Sequence, residues 1–318
     1  MYSTLICLHI RYYFMVRLHM ILLLTVMSFL IACSQQSTKS IQYIDRDRPS
    51  IEPKVFAKHF ITKDSVSEFG SVFNEAGNEF FFAIDSAGRA KIKYTTIRKG
   101  KWIEPITIIS DATYSFNDPF LSPDESKLYY ISDLLKNEKD TIKDYDIWYS
   151  ERQGQEWSAP INAGTSINSD GNEYYMSFTS DGSMYFATNK ESDERKKHDF
   201  DIYKAQYING AFLKPQKLGD AINSKRYEAD VFISPDESYI IYCSARKSGY
   251  GRGDLYISFK NDMDEWTQAV NMGEPINTEG HELCPFVSKD GKYLFYTSNQ
   301  DIYWVSTEVI ELMKTEAQ

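Results

Sequence analysis

The chain has 318 residues and a formal charge of −10 at pH 7, which becomes −12 once residues 1–32 are set aside. That length accommodates one large domain or two ordinary ones, and the acidic balance lacks the basic footprint that phosphate binding needs, which argues against a nucleic-acid partner. Aromatic residues make up 15% of the chain, with 23 Tyr and 19 Phe, a composition suited to pleated, half-buried strands. The four cysteines, Cys7, Cys33, Cys243 and Cys284, are too scattered for a disulfide framework or a cysteine-rich zinc site. Cys243 and Cys284 fall in strand-like segments and read as small buried apolar residues.

At the N-terminus, Met20–Ala32 is an apolar run behind Arg11 and Arg17, a signal-peptide pattern too short to span a bilayer as a helix. Leu30-Ile31-Ala32-Cys33 follows, a match to the bacterial lipobox, in which Cys33 receives lipid through its sulfur and becomes the new N-terminus. The other reading is an ordinary secretory signal beside a chance cysteine. The expectation is a lipoprotein signal over 1–32 and a polar tether over 33–53, which places the chain in the bacterial cell envelope, anchored to a membrane, expected to be the outer one. Ser34-Gln35-Gln36 carries no acidic run and leans towards the periplasmic rather than the surface face.

Beyond the tether the chain repeats itself. Five segments align: VFNEAGNEFFFAID from Val72, FLSPDESKLYYISD from Phe120, SFTSDGSMYFATN from Ser177, FISPDESYIIYCSA from Phe232 and FVSKDGKYLFYTSN from Phe286, spaced 48 to 57 residues apart. A tight turn lies at the centre of each, built on Ser122-Pro123-Asp124-Glu125 or Ser234-Pro235-Asp236-Glu237, or ending in Gly77, Gly182 or Gly291. Alternating apolar residues on both sides make the first two strands. A third strand opens with Asp146-Ile147-Trp148, Asp201-Ile202-Tyr203, Asp254-Leu255-Tyr256 or Asp301-Ile302-Tyr303, and with Lys91-Ile92-Lys93-Tyr94 in the first repeat.

A fourth, outer strand is expected at Trp102-Ile103-Glu104-Pro105, Trp157-Ser158-Ala159-Pro160, Phe212-Leu213-Lys214-Pro215 and Trp266-Thr267-Gln268-Ala269, since an edge strand tolerates Pro. Four short strands per repeat make the blade of a propeller. The fifth repeat has no fourth strand after it, and Val55–Phe60 precedes the first repeat without an inner strand of its own, so it is expected to complete the fifth blade. The chain therefore reads as an all-β, five-bladed β-propeller forming a single domain over 54–318, closed by an N-terminal strand, with six blades as the alternative.

The S-P-D-G-like hairpins followed by D-I-Y strands, over about residues 55–305, resemble the WD40-like (PD40) repeats of TolB and related Bacteroidetes envelope lipoproteins. The resemblance implies a propeller that acts at the cell envelope. TolB has six blades and an extra N-terminal α/β domain, and neither is visible in these repeats.

In such a propeller the innermost strands run along the central channel, and the loops entering them share a face with the loops between strands two and three. Three repeats enter through the same phrase: Ile167-Asn168 then Glu173, Ile222-Asn223 then Glu228, Ile276-Asn277 then Glu282. Glu68 holds the corresponding place in the first repeat; the second has Phe116 there, and offers Asp118 two residues on, as the fourth offers Asp230. Carboxylates converging at one channel mouth would focus a negative field and draw Ca²⁺ or a cationic group. The competing reading is that these Asn and Glu side chains hydrogen-bond their own entry turns. The same reading applies to Asp146, Asp201, Asp254 and Asp301, where a short acceptor meets loop N–H groups.

The charged loops Leu134–Asp144, Lys190–Asp199 and Arg246–Gly253 stand around the same mouth, with Arg246, Tyr250 and Arg252 as contacts for an anionic or glycan partner, and His198 and His281 nearby. The sequence holds no G-x-S-x-G elbow and no H-E-x-x-H, and no cysteine and histidine pair up along it, so no catalytic residue is assigned. The leading expectation is a lipid-anchored binding or scaffold module for an envelope protein, peptide or glycan, with no resident cofactor and Ca²⁺ as the alternative at the channel mouth. The alternative is a carbohydrate-active hydrolase or lyase using the channel-mouth carboxylates, with or without a divalent cation.

Overall fold

The computed structural model describes residues 41–136, 144–191 and 199–316. Cys33 and the signal sequence lie outside the described residues, as do His198 and the middles of the two loops beginning at Leu134 and Lys190.

Each aligned repeat folds into an antiparallel sheet, giving five blades. The inner strands are Ser67–Phe73, Phe116–Leu121, Glu173–Phe178, Glu228–Ile233 and Leu283–Val287. Their hairpin partners are Glu79–Asp85, Lys127–Ser132, Met184–Thr188, Tyr239–Ser244 and Tyr293–Ser298. The third strands are Ala90–Arg98, Asp146–Gln153, Asp201–Ala205, Asp254–Phe259 and Asp301–Ser306.

All five central turns end on a residue with left-handed φ: Gly77 (61°), Gly182 (89°) and Gly291 (70°), but Glu125 (57°) and Glu237 (58°) in the two Ser-Pro-Asp-Glu turns. A side chain there costs about 1 kcal/mol against glycine. Contacts offset it: the Glu237 carboxylate accepts from the Tyr185 hydroxyl at 2.6 Å and from Lys204, while Asp124 Oδ1 holds its turn by accepting from Ser122 Oγ at 2.7 Å and Ser126 N at 3.1 Å.

The outer strands differ in place from the expectation. The pairing segments are Ile106–Ile109, Ile161–Asn162, Gln216–Lys217 and Val270–Asn271, just after the W-x-x-P phrases rather than within them. Trp102 and Trp157 instead pair with the far ends of the third strands, Trp102 opposite Ile97 and Trp157 opposite Arg152. Pro lacks the N–H that a ladder needs, so Pro105 and Pro160 stand in the gap between the two pieces.

The N-terminal segment closes the ring, Lys54 pairing with Trp304 and Val55 with Tyr303 in the outer position of blade five. This strand is shorter than the expected Val55–Phe60, because the chain turns back after Val55, with the Ile61 N–H bonded to the Ala57 carbonyl. From Ile41 onward the expected tether is also part of the fold. Tyr43 is only 4% exposed; its ring packs edge-on to Phe73 at 5.4 Å, and its hydroxyl donates to Asp290 Oδ1 at 2.6 Å. Arg48 covers the same ring at 4.6 Å. Ile41, Tyr43 and Ile44 stand among polar residues without a period, too weak a pattern to separate a docked strap from a spacer.

Phe56 locks the seam, 5.0 Å from Phe295 and 5.2 Å from Trp304. A helix, Glu308–Glu316, follows the last strand and buries Val309 and Ile310. Among the described residues no helix is long and apolar enough to cross a membrane.

Candidate functional site

The repeated Asn and Glu residues prove to be fasteners within each blade. Asn168 accepts from Ile147 N at 2.9 Å and donates to Ile147 O at 2.9 Å, mimicking one rung of a β-ladder against the third strand. Asn223 does the same with Ile202 (2.7 and 3.0 Å), and Asn277 with Leu255 (2.8 and 3.0 Å).

The glutamates hold the turn that follows. Glu173 accepts from Ser169 N (3.1 Å), Ser169 Oγ (2.6 Å) and Thr188 Oγ1 (2.7 Å). Glu228 repeats this with Ser224 N, Ser224 Oγ and Ser244 Oγ, and Glu282 with Thr278 N, Thr278 Oγ1 and Ser298 Oγ. These carboxylates are buried and none lines the channel cavity, so they form no ring of open carboxylates at its mouth.

Glu68 is the incomplete copy. Its Oε1 accepts from Lys63 N at 3.1 Å, but the residue paired with it on the next strand is Ile84, where the three sister blades carry a hydroxyl. Its Oε2 is therefore left without a partner, and burial pushes the carboxyl up to about 7.

Two residues further along, each inner strand carries a bulge with a left-handed residue. The five are Gly70 (φ 52°), Asp118 (52°), Tyr175 (35°), Asp230 (52°) and Cys284 (53°). The ladder register shifts at all five places, between Phe69 and Ser71, Asn117 and Phe120, Tyr174 and Met176, Ala229 and Phe232, and Leu283 and Phe286. A bulge re-aims a side chain that regular pleating would send elsewhere. Here Asp118, Asp230 and Cys284 meet on the channel axis.

The Cys284 thiol donates to Asp118 Oδ1 at 3.3 Å and lies 3.8 Å from Asp230 Oδ1, and donor atoms of all three lie within 4.8 Å of one another. Gly70 makes the room: a Cβ there would stand 2.7 Å from both Cα and Oδ1 of Asp118. The Tyr175 hydroxyl donates across the axis to Pro285 O at 2.9 Å, and the tyrosine is wholly buried. Beside it, Phe120 packs edge-on to Phe286 at 5.8 Å, and Phe286 edge-on to Phe232 at 6.1 Å. The channel is thereby filled below the acids and becomes a blind cup.

That cup has a volume of about 530 Å³, with Phe69, Ile131, Tyr174, Tyr227 and Leu283 on its walls and Arg252, His281, Asn299 and Gln300 also lining it. Asp118 and Asp230 are 7% and 8% exposed. Burial raises Asp118 to about 6; burial, then the nearby Asp118 charge, raises Asp230 to about 7. The Cys284 thiol is pushed well up by burial and then by the two carboxylates.

Of the expected loop contacts, Arg252 and His281 reach this cup. Tyr250 is 49% exposed. Arg246 is held inside its blade: its Nη2 donates to Tyr242 Oη at 2.8 Å and to Ile222 O at 3.1 Å, with the guanidinium over the Tyr256 ring at 4.4 Å. His281 Nε2 lies 3.3 Å from Cys243 Sγ, a pairing of residues 38 positions apart, and burial holds the imidazole below its usual range. The sequence reads Cys284 only as a packing residue and does not single out Tyr175. The signal was present in register: aligning the repeats on Glu68, Phe116, Glu173, Glu228 and Glu282 and stepping two residues on gives the five axial positions, with Pro119 and Pro285 marking bulges.

The fold and site define a five-bladed β-propeller with a blind, acid-floored cavity at the face where the inner strands begin. No protein-family model matches the sequence, and no curated protein does. Solved structures similar to it include hydrazine synthase of Kuenenia stuttgartiensis, at a TM-score of 0.50 and 14% identity over 74% of this chain and 37% of that one. TolB from Acinetobacter baumannii is similar at a TM-score of 0.46 and 14% identity, over 76% of this chain and 54% of its own. A gluconolactonase from Xanthomonas campestris matches at 0.47 and 12%, over 81% of this chain and 96% of its own. The chain thus spans about half the length of that TolB, and likeness at these identities concerns the fold.

Proposed function

We propose that this protein is a lipid-anchored binding module of the bacterial cell envelope, which captures a group projected by a protein, peptide or glycan partner into its channel cavity. The cavity carries this reading: about 530 Å³, closed below, with aromatic walls from Phe69, Tyr174 and Tyr227 and a buried polar floor. Concave sites with apolar walls and a few convergent polar groups are where folds of this kind hold ligands. Aromatic walls suit a sugar ring or a peptide side chain, and the polar floor fixes the orientation of whatever enters. The lipobox at Cys33 supports a lipid anchor, and the signal-like run before it supports export.

Calorimetric titration of the purified chain with panels of short peptides and oligosaccharides tests the reading. A ligand that binds wild type and loses about tenfold or more in affinity to Tyr174→Ala or Tyr227→Ala supports it. Binding that is indifferent to both changes refutes it. Acyl labelling that disappears in Cys33→Ala tests the anchor separately.

A second reading, a carbohydrate-active hydrolase or lyase, draws on the Asp118–Asp230 pair, two carboxylates brought together at the floor of one cavity as glycoside hydrolysis requires. It requires turnover of an oligosaccharide that Asp118→Asn and Asp230→Asn abolish.

A further inference from the structure

We propose that Asp118, Asp230 and Cys284 bind one divalent transition-metal ion of the zinc class on the channel axis, through two carboxylate oxygens and one thiolate sulfur, with a fourth coordination position facing the cavity. The site lies in the cavity assigned to partner binding but does not rest on that role, since a metal-free cup could still capture a ligand.

Geometry is the first support. A tetrahedral ion with sulfur at about 2.3 Å and oxygen at about 2.1 Å sets its S···O edges at about 3.6 Å. The two such edges here, from Cys284 Sγ to Asp118 Oδ1 and to Asp230 Oδ1, are 3.3 and 3.8 Å. Both edges fall within about 0.3 Å of that geometry, the two carboxylate oxygens lie within 4.8 Å of each other, and the three donors come from separate inner strands, each placed by a left-handed bulge.

The second support is independent of the cluster's shape. Asp118 is more than nine-tenths buried, yet among the described residues no cation, backbone N–H or hydroxyl donates to either of its oxygens. The only hydrogen bond it accepts comes from the Cys284 thiol, and Asp230 has only the Tyr227 hydroxyl, at 3.5 Å, besides that thiol. Buried carboxylates are ordinarily paired with a cation, fastened by N–H or hydroxyl donors as Glu173 is, or bound to a metal. Asp118 has neither of the first two, and Asp230 has only the long Tyr227 contact. Gly70 keeps the space beside Asp118 free of a side chain.

Donor chemistry selects the ion. Ca²⁺ takes six to eight oxygen ligands and Mg²⁺ an octahedron of oxygens, so a set of two oxygens and one sulfur suits neither. Thiolate with carboxylate in a four-coordinate arrangement suits Zn²⁺ and its spectroscopic stand-in Co²⁺. On binding, the proton that the thiol shares with Asp118 leaves to solvent, and the sulfur becomes a thiolate ligand.

The test uses the full chain in detergent, stripped with a chelator and titrated with Co²⁺ and then Zn²⁺. Expected are a thiolate-to-cobalt charge-transfer band with tetrahedral d–d bands, saturation at one equivalent, displacement by Zn²⁺ and indifference to Ca²⁺. The bands persist in Cys243→Ala, vanish in Cys284→Ala, and Asp118→Asn weakens affinity by at least about 100-fold. Absence of the band in wild type, or its survival in Cys284→Ala, overturns the proposal. Should the Cys284 variant fail to fold, alkylation of Cys284 in wild type decides: Zn²⁺ slows it on this proposal, and an unchanged rate refutes it. Loss of peptide or glycan binding with the cobalt bands intact would count against the binding role alone.

Discussion

Glu173→Ala separates a structural fastener from a channel ligand. The substitution removes the acceptor for Ser169 N, Ser169 Oγ and Thr188 Oγ1 at 3.1, 2.6 and 2.7 Å. Both hydroxyls can rotate towards other acceptors, whereas the Ser169 N–H is fixed by the backbone. One stranded N–H costs about 1–3 kcal/mol, and the lost side chain leaves a void, so about 3 kcal/mol is expected. In a domain of this size that lowers Tm by about 6–12 °C.

The same residue gives a pH signature. Burial outweighs its hydrogen bonds and pushes the Glu173 carboxyl from 4.5 up to about 7. A carboxyl raised in the folded state binds its proton more tightly there than in the unfolded chain. Its contribution to stability is therefore full below pH 4.5 and is lost as pH rises through 7. Glu173→Gln carries no charge at either end of that range and should flatten the decline between pH 5 and 8. Urea unfolding of wild type, Glu173→Gln and Glu173→Ala at pH 5 and 8 reads both effects. If Glu173→Ala unfolds within about 0.5 kcal/mol of wild type while ligand binding collapses, Glu173 is a channel group and the fastening argument is wrong.

Gly70→Ala should destabilise by about 2–4 kcal/mol in chemical unfolding, because its Cβ would meet Asp118 Cα at 2.7 Å and φ is 52°; a neutral result would mean the axial bulges are not tightly packed. Ile84→Thr offers Glu68 Oε2 the hydroxyl it lacks, so a gain of about 1 kcal/mol is expected at pH 8, where that carboxyl is ionised, and little at pH 5; equal effects at both pH values would refute this. Tyr175→Phe removes the donor to Pro285 O, 2.9 Å away, and should cost about 1–2 kcal/mol in the same measurement. Tyr43→Ala tests whether the strap before the closing strand belongs to the fold: loss of its contacts with Phe73, Tyr293 and Asp290 should cost about 3 kcal/mol, whereas a free tether would cost nothing.

Repeat number, hairpins and ring closure were legible in the sequence because they are written locally. Ser-Pro-Asp turns, alternating strands and the unmatched half-blade at Val55 each depend on neighbours a few residues away or on simple counting. Outer-strand positions were misplaced by a few residues, because Trp and Pro mark the approach to the edge rather than the rungs that pair. The glutamates illustrate a harder limit. Repetition of I-N-x-x-x-x-E declares that the residues matter to every blade, and it is silent on whether the carboxylate faces the axis or its own entry turn. Only the positions of Ser169, Thr188 and their counterparts in three dimensions decide it.

Repeat register named Asp118 and Asp230 as channel-mouth candidates, but their meeting with Cys284 at the cavity floor belongs to the tertiary structure. Asp118, Asp230 and Cys284 come from strands 54 to 166 residues apart, and nothing in any one repeat announces that they touch. Local chemistry, turn residues and period-two patterning, determined that the chain makes five blades of antiparallel strands. Closing those blades into a ring is what turns one bulge position per blade into five neighbours on an axis, of which Gly70 yields space, Tyr175 plugs the channel and the other three present oxygen and sulfur to the cup.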